Sequence, residues 1–470
     1  THASNVTGDG NDIAQIGTLC EKYNLYFILD ASQTAGTIEI DMEQNHISAI
    51  CFTGHKGLFS PQGTGGIALA DGVCVKPLLS GGSGVHSFER KHPMELPAAL
   101  EAGTLNGHGI AGLHAALDWI KKTGIAAIHE KEMALAEQFQ RGIETIPGIH
   151  LYGGEKRVAA IVSCNLADLD SAYVSDCLAE DYGIATRAGV HCAPLMHTHF
   201  GTEKQGMVRF SFSCFNTTEE VEKAVRAMQD IAAENRGKVT AYVGAGGKTS
   251  SIRKRAETLR AEGKRVLILT TTKMMVPQEQ EIFAAYEQTG QESVISATAS
   301  VWQERRAAEK QLKERVQSVL DTYGCCVAGS LIPGTEKFGM LPEKLMEDLL
   351  YLADEILIEA DGSAHMPVKA PAEHEPVLFP YMDEVVIVMG AHAIGKPLRE
   401  VCHRVDYAKE LLKCDADKIV KAADLETLAE QGYAIPIQKQ YPWMKISKVT
   451  GKDIKLCLTA EKKDKVRDKQ

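Results

Sequence analysis

The chain has 470 residues, 44% hydrophobic and 24% charged, with a mean hydropathy of −0.14. It is about three times the ~150-residue prior for one domain, and this composition excludes wholesale disorder, collagen and membrane classes. Fifty-one Lys and Arg against 62 Asp and Glu leave a net charge of −11, so there is no global electrostatic footprint for nucleic acid or an anionic membrane, although local anion sites stay open. Twelve scattered cysteines with no CxxC pair disfavour a zinc ribbon or a disulfide scaffold, and with no signal peptide they point to reduced thiols in a cytoplasm.

The first residues, Thr1-His2-Ala3-Ser4-Asn5, include no initiator Met and pass almost at once into patterned structure, so the chain is expected to begin inside a domain. Residues 25–29 form a short, β-rich apolar run that stops at Asp30 and predicts a buried strand of a parallel sheet; residues 47–52 predict a second, ending at Thr53-Gly54-His55-Lys56. Helical patterns between such runs give the alternation of an α/β fold. A long helix over 126–146, a strand near 159–164, a helix after Asp168 and a loop-like stretch over 184–194 follow. Thr217-Thr218-Glu219-Glu220 is a capping box that opens a helix running to about Asn235, where Arg236-Gly237-Lys238 breaks it. The grammar restarts with a strand over 239–243, a Gly-rich turn and a helix, then strands over 266–269, 355–358 and 385–389. The tail from Lys452 is basic and poor in apolar residues, and is expected to fray.

Asp30 and Lys56 both fall at the ends of consecutive predicted strands, where open α/β sheets bind ligands. An acid there can keep a pyridinium nitrogen protonated while an amine forms a Schiff base, the pair that pyridoxal phosphate chemistry requires. Gln33 is within reach of the same ring, and Thr53 and His55 offer groups suited to phosphate oxygens. Taken singly, an Asp at a strand end is most often a cap and a Lys after Gly-His a surface residue. Cys192, in a Gly- and Pro-bounded loop beside Arg187 and His191, has surroundings that favour a thiolate. Adjacent residues on an extended loop point apart, so a His191–Cys192 dyad is not expected.

The words His2 to Gly8, Leu29-Asp30-Ala31-Ser32-Gln33-Thr34-Ala35-Gly36, Thr53-Gly54-His55-Lys56-Gly57, Glu101-Ala102-Gly103-Thr104-Leu105-Asn106, Arg187 to Pro194 and Val208-Arg209-Phe210-Ser211-Phe212 resemble, in order, the class V aminotransferase-fold cysteine desulfurases and selenocysteine lyases. The resemblance covers about residues 1–235 and implies a pyridoxal-phosphate-dependent transferase of fold type I, with an incomplete large domain. It implies that Lys56 holds the cofactor and moves the Cα proton, that Asp30 pairs with the pyridine nitrogen, that Gln33 contacts the ring hydroxyl, and that Thr53 and His55 bind phosphate. Gly103-Thr104 would reach the partner subunit's phosphate, so a homodimer is implied. Arg209 would clamp the substrate carboxylate, a task suited to its guanidinium fork. Cys192 would take sulfur or selenium from cysteine or selenocysteine, and Asn5 and Arg187 would line or support the site. Members of the family carry a further stretch before the His2 word, with the first strands and a phosphate-binding turn; without it this chain is not expected to hold the cofactor unaided.

In the second half, Gly244-Ala245-Gly246-Gly247-Lys248-Thr249-Ser250 lies between a strand and a helix. Amides of such a turn at a helix N-terminus form an anion nest, Lys248 adds a charge for outer phosphates, and Thr249 a hydroxyl for magnesium. Tyr242 stands where the usual phosphate-loop pattern has its first Gly. Glu359 and Asp361, after a strand, offer a second carboxylate for the metal. These residues, with Leu269-Thr270-Thr271-Thr272-Lys273, Pro367-Val368-Lys369-Ala370-Pro371 and His374-Glu375-Pro376, resemble the selenium-dependent molybdenum hydroxylase accessory family (YqeC-like) over about 239–410. Residues 369–376 read as a loop near the nucleotide, ATP or GTP. The spacings of His365, His374, His392 and His403 match no metal-ligand motif.

The expected organisation is therefore a partial cofactor-binding large domain over 1–125, a small domain with the cysteine loop over 126–236, a P-loop-like α/β nucleotide-binding domain over 239–450 and a tail over 451–470. The expected function is a lyase moving sulfur or selenium through an enzyme persulfide to an acceptor protein, fused to a nucleotide-binding module serving a molybdenum hydroxylase. The rivals are a plain class V aminotransferase and a non-catalytic scaffold with a nucleotide switch.

Overall fold

The computed structural model describes residues 1–84, 88–287 and 299–450; the tail expected over 451–470 lies outside the described residues. The chain divides into two compact units, one spanning Thr1–Ile231 and the other starting at Ala232. Among the described residues, no helix is long and apolar enough to cross a membrane.

The first unit begins with helix α1 (Ile13–Lys22), capped by the Asp12 carboxylate on the Gln15 amide. Strands β1 (Ile28–Asp30) and β2 (Ala49–Thr53) pair in parallel, and β3 (Gly65–Leu69) joins β2 antiparallel. The expectation of a strand buried on both faces over 25–29 is corrected. The strand starts only at Ile28 and alternates: Leu29 is 2% exposed while Leu25, Tyr26 and Ile28 are more than 60% exposed. An apolar run does not reveal which of its faces will be covered. Helices α2 (Gly107–Thr123) and α3 (Ile125–Ile143) lead to an antiparallel sheet of β4 (Ile149–Tyr152), β5 (Ile161–Leu166) and β6 (Val208–Ser211), with α4 (Ser171–Glu180) and α5 (Pro194–Phe200) between the last two. Helix α6 (Thr218–Asn235) opens on a reciprocal capping box: the Glu220 amide donates to Thr217 Oγ1 at 3.3 Å and the Thr217 amide to Glu220 Oε2 at 3.1 Å.

The second unit is built on one nine-stranded sheet. In chain order its strands are β7 (Lys238–Gly244), β8 (Val266–Thr270), β9 (Lys273–Met275), β10 (Phe283–Tyr286), β11 (Cys325–Leu331), β12 (Lys337–Gly339), β13 (Glu355–Glu359), β15 (Glu384–Met389) and β17 (Lys445–Thr450). β14 (Val368–Lys369) and β16 (Cys402–His403) form a separate parallel pair. Strands β17, β15, β7, β13, β8 and β11 are parallel neighbours in that order. Alternate residues go to opposite faces. Val239, Ala241, Val243, Leu267, Ile356 and Ile358 pack with helix α8 (Ala299–Tyr323) and α9 (Glu343–Leu349). Tyr242, Ile268, Leu357 and Val386 pack against Ile252, Ala256 and Leu259 of α7 (Lys248–Ala261). Two covered faces explain why these strands read as continuous apolar runs. Lys369, expected in a loop, is instead a fully buried residue of β14. Near the end of the unit a π-helical turn, Leu428–Ala434, joins α-helical segments Ala422–Thr427 and Ile435–Gln440.

Candidate functional site

In the first unit the parallel register sets Asp30 beside Cys51, so Asp30, Thr53 and Lys56 all lie toward the carboxyl ends of β1 and β2. The Asp30 carboxylate accepts the Ser32 amide at 3.0 Å; that hydrogen bonding and the Lys56 ammonium hold its carboxyl below the ordinary carboxylate value despite partial burial. Thr53 Oγ1 is buried with no hydrogen-bond partner, His55 and Lys56 are exposed, and Gln33 is half-buried in the turn after Asp30.

A second group gathers around Asn5. Its Nδ2 donates to the His191 carbonyl at 2.6 Å, and its own carbonyl accepts from Arg209 Nη1 at 3.0 Å. Arg187 and Arg209 are backbone partners across an isolated bridge, with amide-to-carbonyl distances of 3.2 and 2.8 Å in the two directions. Like charges directly opposed on neighbouring chains repel, so this arrangement suits an anion between them. Arg209 is half-buried, and its Nε has no partner. Burial first and Arg187 second lower its guanidinium from the ordinary value, while Cys192 opposes them. Cys192 is exposed, with Arg187 Nη2 3.9 Å from its sulfur.

The loop carrying Cys192 is not extended, which corrects the reason for setting a dyad aside. His191 and Cys192 both take left-handed backbone conformations, at φ 55° and 57°. His191 turns inward, its Nε2 2.9 Å from the Arg187 carbonyl and its ring 5.7 Å from that of His197, while Cys192 faces out. Burial lowers the His191 imidazole below its ordinary value and leaves it neutral near pH 7.

The two groups are linked by the opening segment. The His2 amide donates to the Asp30 carbonyl at 2.9 Å, and its ring meets Thr34 Oγ1 at 2.9 Å. Since His2 and Asn5 are three residues apart, this segment spans at most about 10 Å between the Asp30 side and the Arg209 side. Gly103 and Thr104 stand on an exposed loop, the Gly103 amide bonded to the Gly82 carbonyl at 2.6 Å; among the described residues no hydrogen bond joins them to either group.

In the second unit β13 lies between β7 and β8, so the end of β13 reaches the turn that leaves β7. Gly244, Gly246 and Gly247 all have positive φ, and a Cβ at Gly244 or Gly246 would meet the Val388 carbonyl at 2.2 Å or the Pro367 carbonyl at 2.4 Å. Only glycine fits there. Thr249 Oγ1 donates to Glu359 Oε2 at 2.9 Å, and burial raises the Glu359 carboxyl above its ordinary value against the pull of Lys248 and Thr249. A cavity of about 720 Å³ is lined by Gly246, Gly247, Lys248, Thr249, Ser250 and Glu359, together with Lys273, Lys337 and several apolar side chains. Asp361 does not line it. It is fully buried, 3.0 Å from Lys248 Nζ and 3.3 Å from Lys369 Nζ. Lys369, Glu375 and Tyr433 were not foreseen as site residues. Two of them stand in the Pro-flanked words quoted above, and that placement was their only signal.

Residues 1–224 match the family described as aminotransferase class-V, and residues 240–406 the family described as YqeC protein. The chain thus carries a class V aminotransferase region with cysteine desulfurase homologues, followed by a YqeC region. A probable cysteine desulfurase of Methanothermobacter thermautotrophicus is 34% identical over 237 residues, which cover 49% of this chain and 59% of that protein. A cysteine desulfurase of Shigella flexneri is 31% identical over 236 residues, covering 49% and 57%. The chain therefore spans less than three fifths of the length of these curated relatives. Among solved structures, the apo cysteine desulfurase of Thermococcus onnurineus aligns with a TM-score of 0.46 at 30% identity, covering 50% of this chain and 59% of that one.

Proposed function

We propose that the first unit belongs to a pyridoxal-phosphate-dependent enzyme that takes sulfur or selenium from cysteine or selenocysteine and passes it to an acceptor protein. The observation that carries this reading is the short Asn5-to-His2 link between an acid–amine pair, Asp30 and Lys56, and a thiol–guanidinium group, Cys192, Arg187 and Arg209. The residues fit the cofactor: an ionised Asp30 carboxylate at the end of β1, an exposed Lys56 amine just past the end of the neighbouring β2, and a buried, unpartnered Thr53 hydroxyl at the position proposed for phosphate. When bound, the cofactor supplies an electron sink for the carbons of the amino acid. Arg209, with Arg187 beside it, would hold the substrate carboxylate, and Lys56 would move the Cα proton. The Cys192 thiolate would attack the substrate sulfur: its S–S bond forms as the substrate C–S bond breaks, and the electron pair left on carbon takes a proton. Cysteine and the enzyme thiol thus become alanine and an enzyme persulfide, with no external oxidant. His55 and Gln33 would contact the phosphate and ring hydroxyl. The exposed Gly103–Thr104 loop is free to serve a partner subunit in a homodimer.

In the second unit the proposed ligand is magnesium with ATP or GTP. Its support is the glycine turn at the start of α7, the Thr249–Glu359 pair and the position of β13 beside β7, which brings the Glu359 carboxylate to that turn. The two regions together suggest sulfur or selenium delivery to a molybdenum hydroxylase in the cytoplasm. The decisive experiment gives the whole protein cysteine and selenocysteine in turn and assays alanine, sulfide and selenide. Alanine with persulfide on Cys192 is expected, lost in Cys192→Ala with cofactor absorbance retained, and absorbance itself lost in Lys56→Ala. Full turnover in Cys192→Ala would reject the persulfide route; cofactor absorbance with no alanine, sulfide or selenide from either amino acid would leave the plain aminotransferase reading, and no cofactor absorbance at all would leave the scaffold.

A further inference from the structure

Asp361 is fully buried, and four donors converge on its two oxygens. Oδ2 accepts the Gly244 amide at 3.0 Å and the Tyr433 hydroxyl at 2.9 Å, with Lys369 Nζ at 3.3 Å. Oδ1 has only the ion pair with Lys248 at 3.0 Å, without hydrogen-bond geometry. Lys248 leans as well on the Gly244 carbonyl at 2.5 Å. Behind them Lys369 reaches Glu375 at 2.9 Å and the Gly362 carbonyl at 2.6 Å, and Arg404 holds the other Glu375 oxygen at 3.1 Å.

This is a poor metal ligand. A divalent cation would have to enter beside two buried ammonium groups, and Asp361 does not reach the cavity, whereas Thr249 and Glu359 do. The charge balance is more telling. Removing Lys248 leaves Lys369 and Arg404 facing Asp361 and Glu375, two cations against two anions, so the cluster stays neutral without it and Asp361 keeps its Oδ2 partners, while Oδ1 gives up its one ion pair. Lys248 is thus the member of the cluster that can leave, and it is the one that lines the cavity.

We propose that Asp361 is a holding carboxylate for Lys248, which exchanges it for the outermost phosphate of a nucleoside triphosphate entering the cavity, while Lys369, Tyr433 and the Gly244 amide stay on Asp361 Oδ2 and balance its charge. Asp361, Lys369 and Tyr433 are then positioning residues, and Thr249 and Glu359 are left for the metal. The inference rests on the nucleotide reading of the site.

The test is calorimetric binding of Mg-ATP, Mg-GTP and the matching diphosphates to the whole chain. Tyr433→Phe and Lys369→Met each remove a competitor for Asp361, so Lys248 is gripped harder and triphosphate affinity falls by about threefold and tenfold respectively. Asp361→Asn frees Lys248 and raises triphosphate affinity about tenfold. Diphosphate affinity does not move, and in a Lys248→Met background Tyr433→Phe has no effect. If Asp361→Asn does not fold, the triphosphate-to-diphosphate ratio in the other two variants decides. Equal weakening of both ligands in every variant that folds is structural damage and overturns the exchange. Failure of the unaltered chain to bind any of the four nucleotides overturns the nucleotide reading itself, and is distinguishable because no variant is needed to see it.

Discussion

The two units hold their charges in opposite ways. In the first, Arg187 and Arg209 face each other with no carboxylate partner among the described residues, the Thr53 hydroxyl is unpartnered, and Cys192 is exposed. In the second, Lys248, Lys369 and Arg404 are matched to Asp361 and Glu375 within a buried cluster. On the proposed reading, the first unit awaits a ligand to meet its cations, whereas in the second each cation already has a carboxylate and a ligand would have to compete for Lys248.

The sharpest way to break this contrast is Asp361→Ala. Two ammonium groups would be left buried beside it, and a cost of about 3–5 kcal/mol is expected, read as lost hydrogen-exchange protection in β7 and β13. Unchanged protection would show that the cluster is not a unit. Next in size is Arg209→Met in the first unit. On the proposed lyase reading a fall of about a hundredfold in kcat/KM for cysteine, carried mainly by KM, is expected, with a stability loss of only about 1 kcal/mol for the hydrogen bond given up to the Asn5 carbonyl.

Glu132 is an exception within the first unit and sharpens the comparison. Burial raises its carboxyl from an ordinary 4.5 to about 7, against a 3.1 Å hydrogen bond from the Cys214 amide. The folded state therefore binds this proton more tightly than the unfolded chain. Its stabilisation is complete below the unfolded value, declines as pH rises from 4.5 to about 7 and is absent above. Relative to Glu132→Gln, the natural protein should lose about 3 kcal/mol across that window in urea titrations. A parallel pH profile in the two proteins would remove the exception. The smallest effect expected is Thr217→Ala, about 1 kcal/mol for the lost cap of α6, measured as a shift in the urea midpoint.

Legibility followed burial. Strands β7, β8, β13 and β15 were readable because helices or other core cover both faces and nearly every residue is apolar. The start of β1 was misjudged because Leu25, Tyr26 and Ile28 are just as apolar as the buried Phe27 and Leu29 yet are exposed. Thr217 and Glu220 announced α6 because a cap is a local transaction between residues three apart. The neighbours of Asp361 were not readable in that way. Tyr433 lies 72 residues further along the chain and joins it only through the folded sheet. Cys192 could be singled out by its loop, but the left-handed backbone that separates it from His191 carries no signature in two non-glycine residues.

The π-helical turn Leu428–Ala434 makes that distant contact a matter of length as much as of chemistry. Each residue of a regular helix advances its side chain by about 100°, so trimming one residue from this turn would swing the Tyr433 phenol away from Asp361 with every side chain's identity intact. The segment acts as a gauge block: a one-codon deletion here should be tolerated far less well than a substitution at the same place.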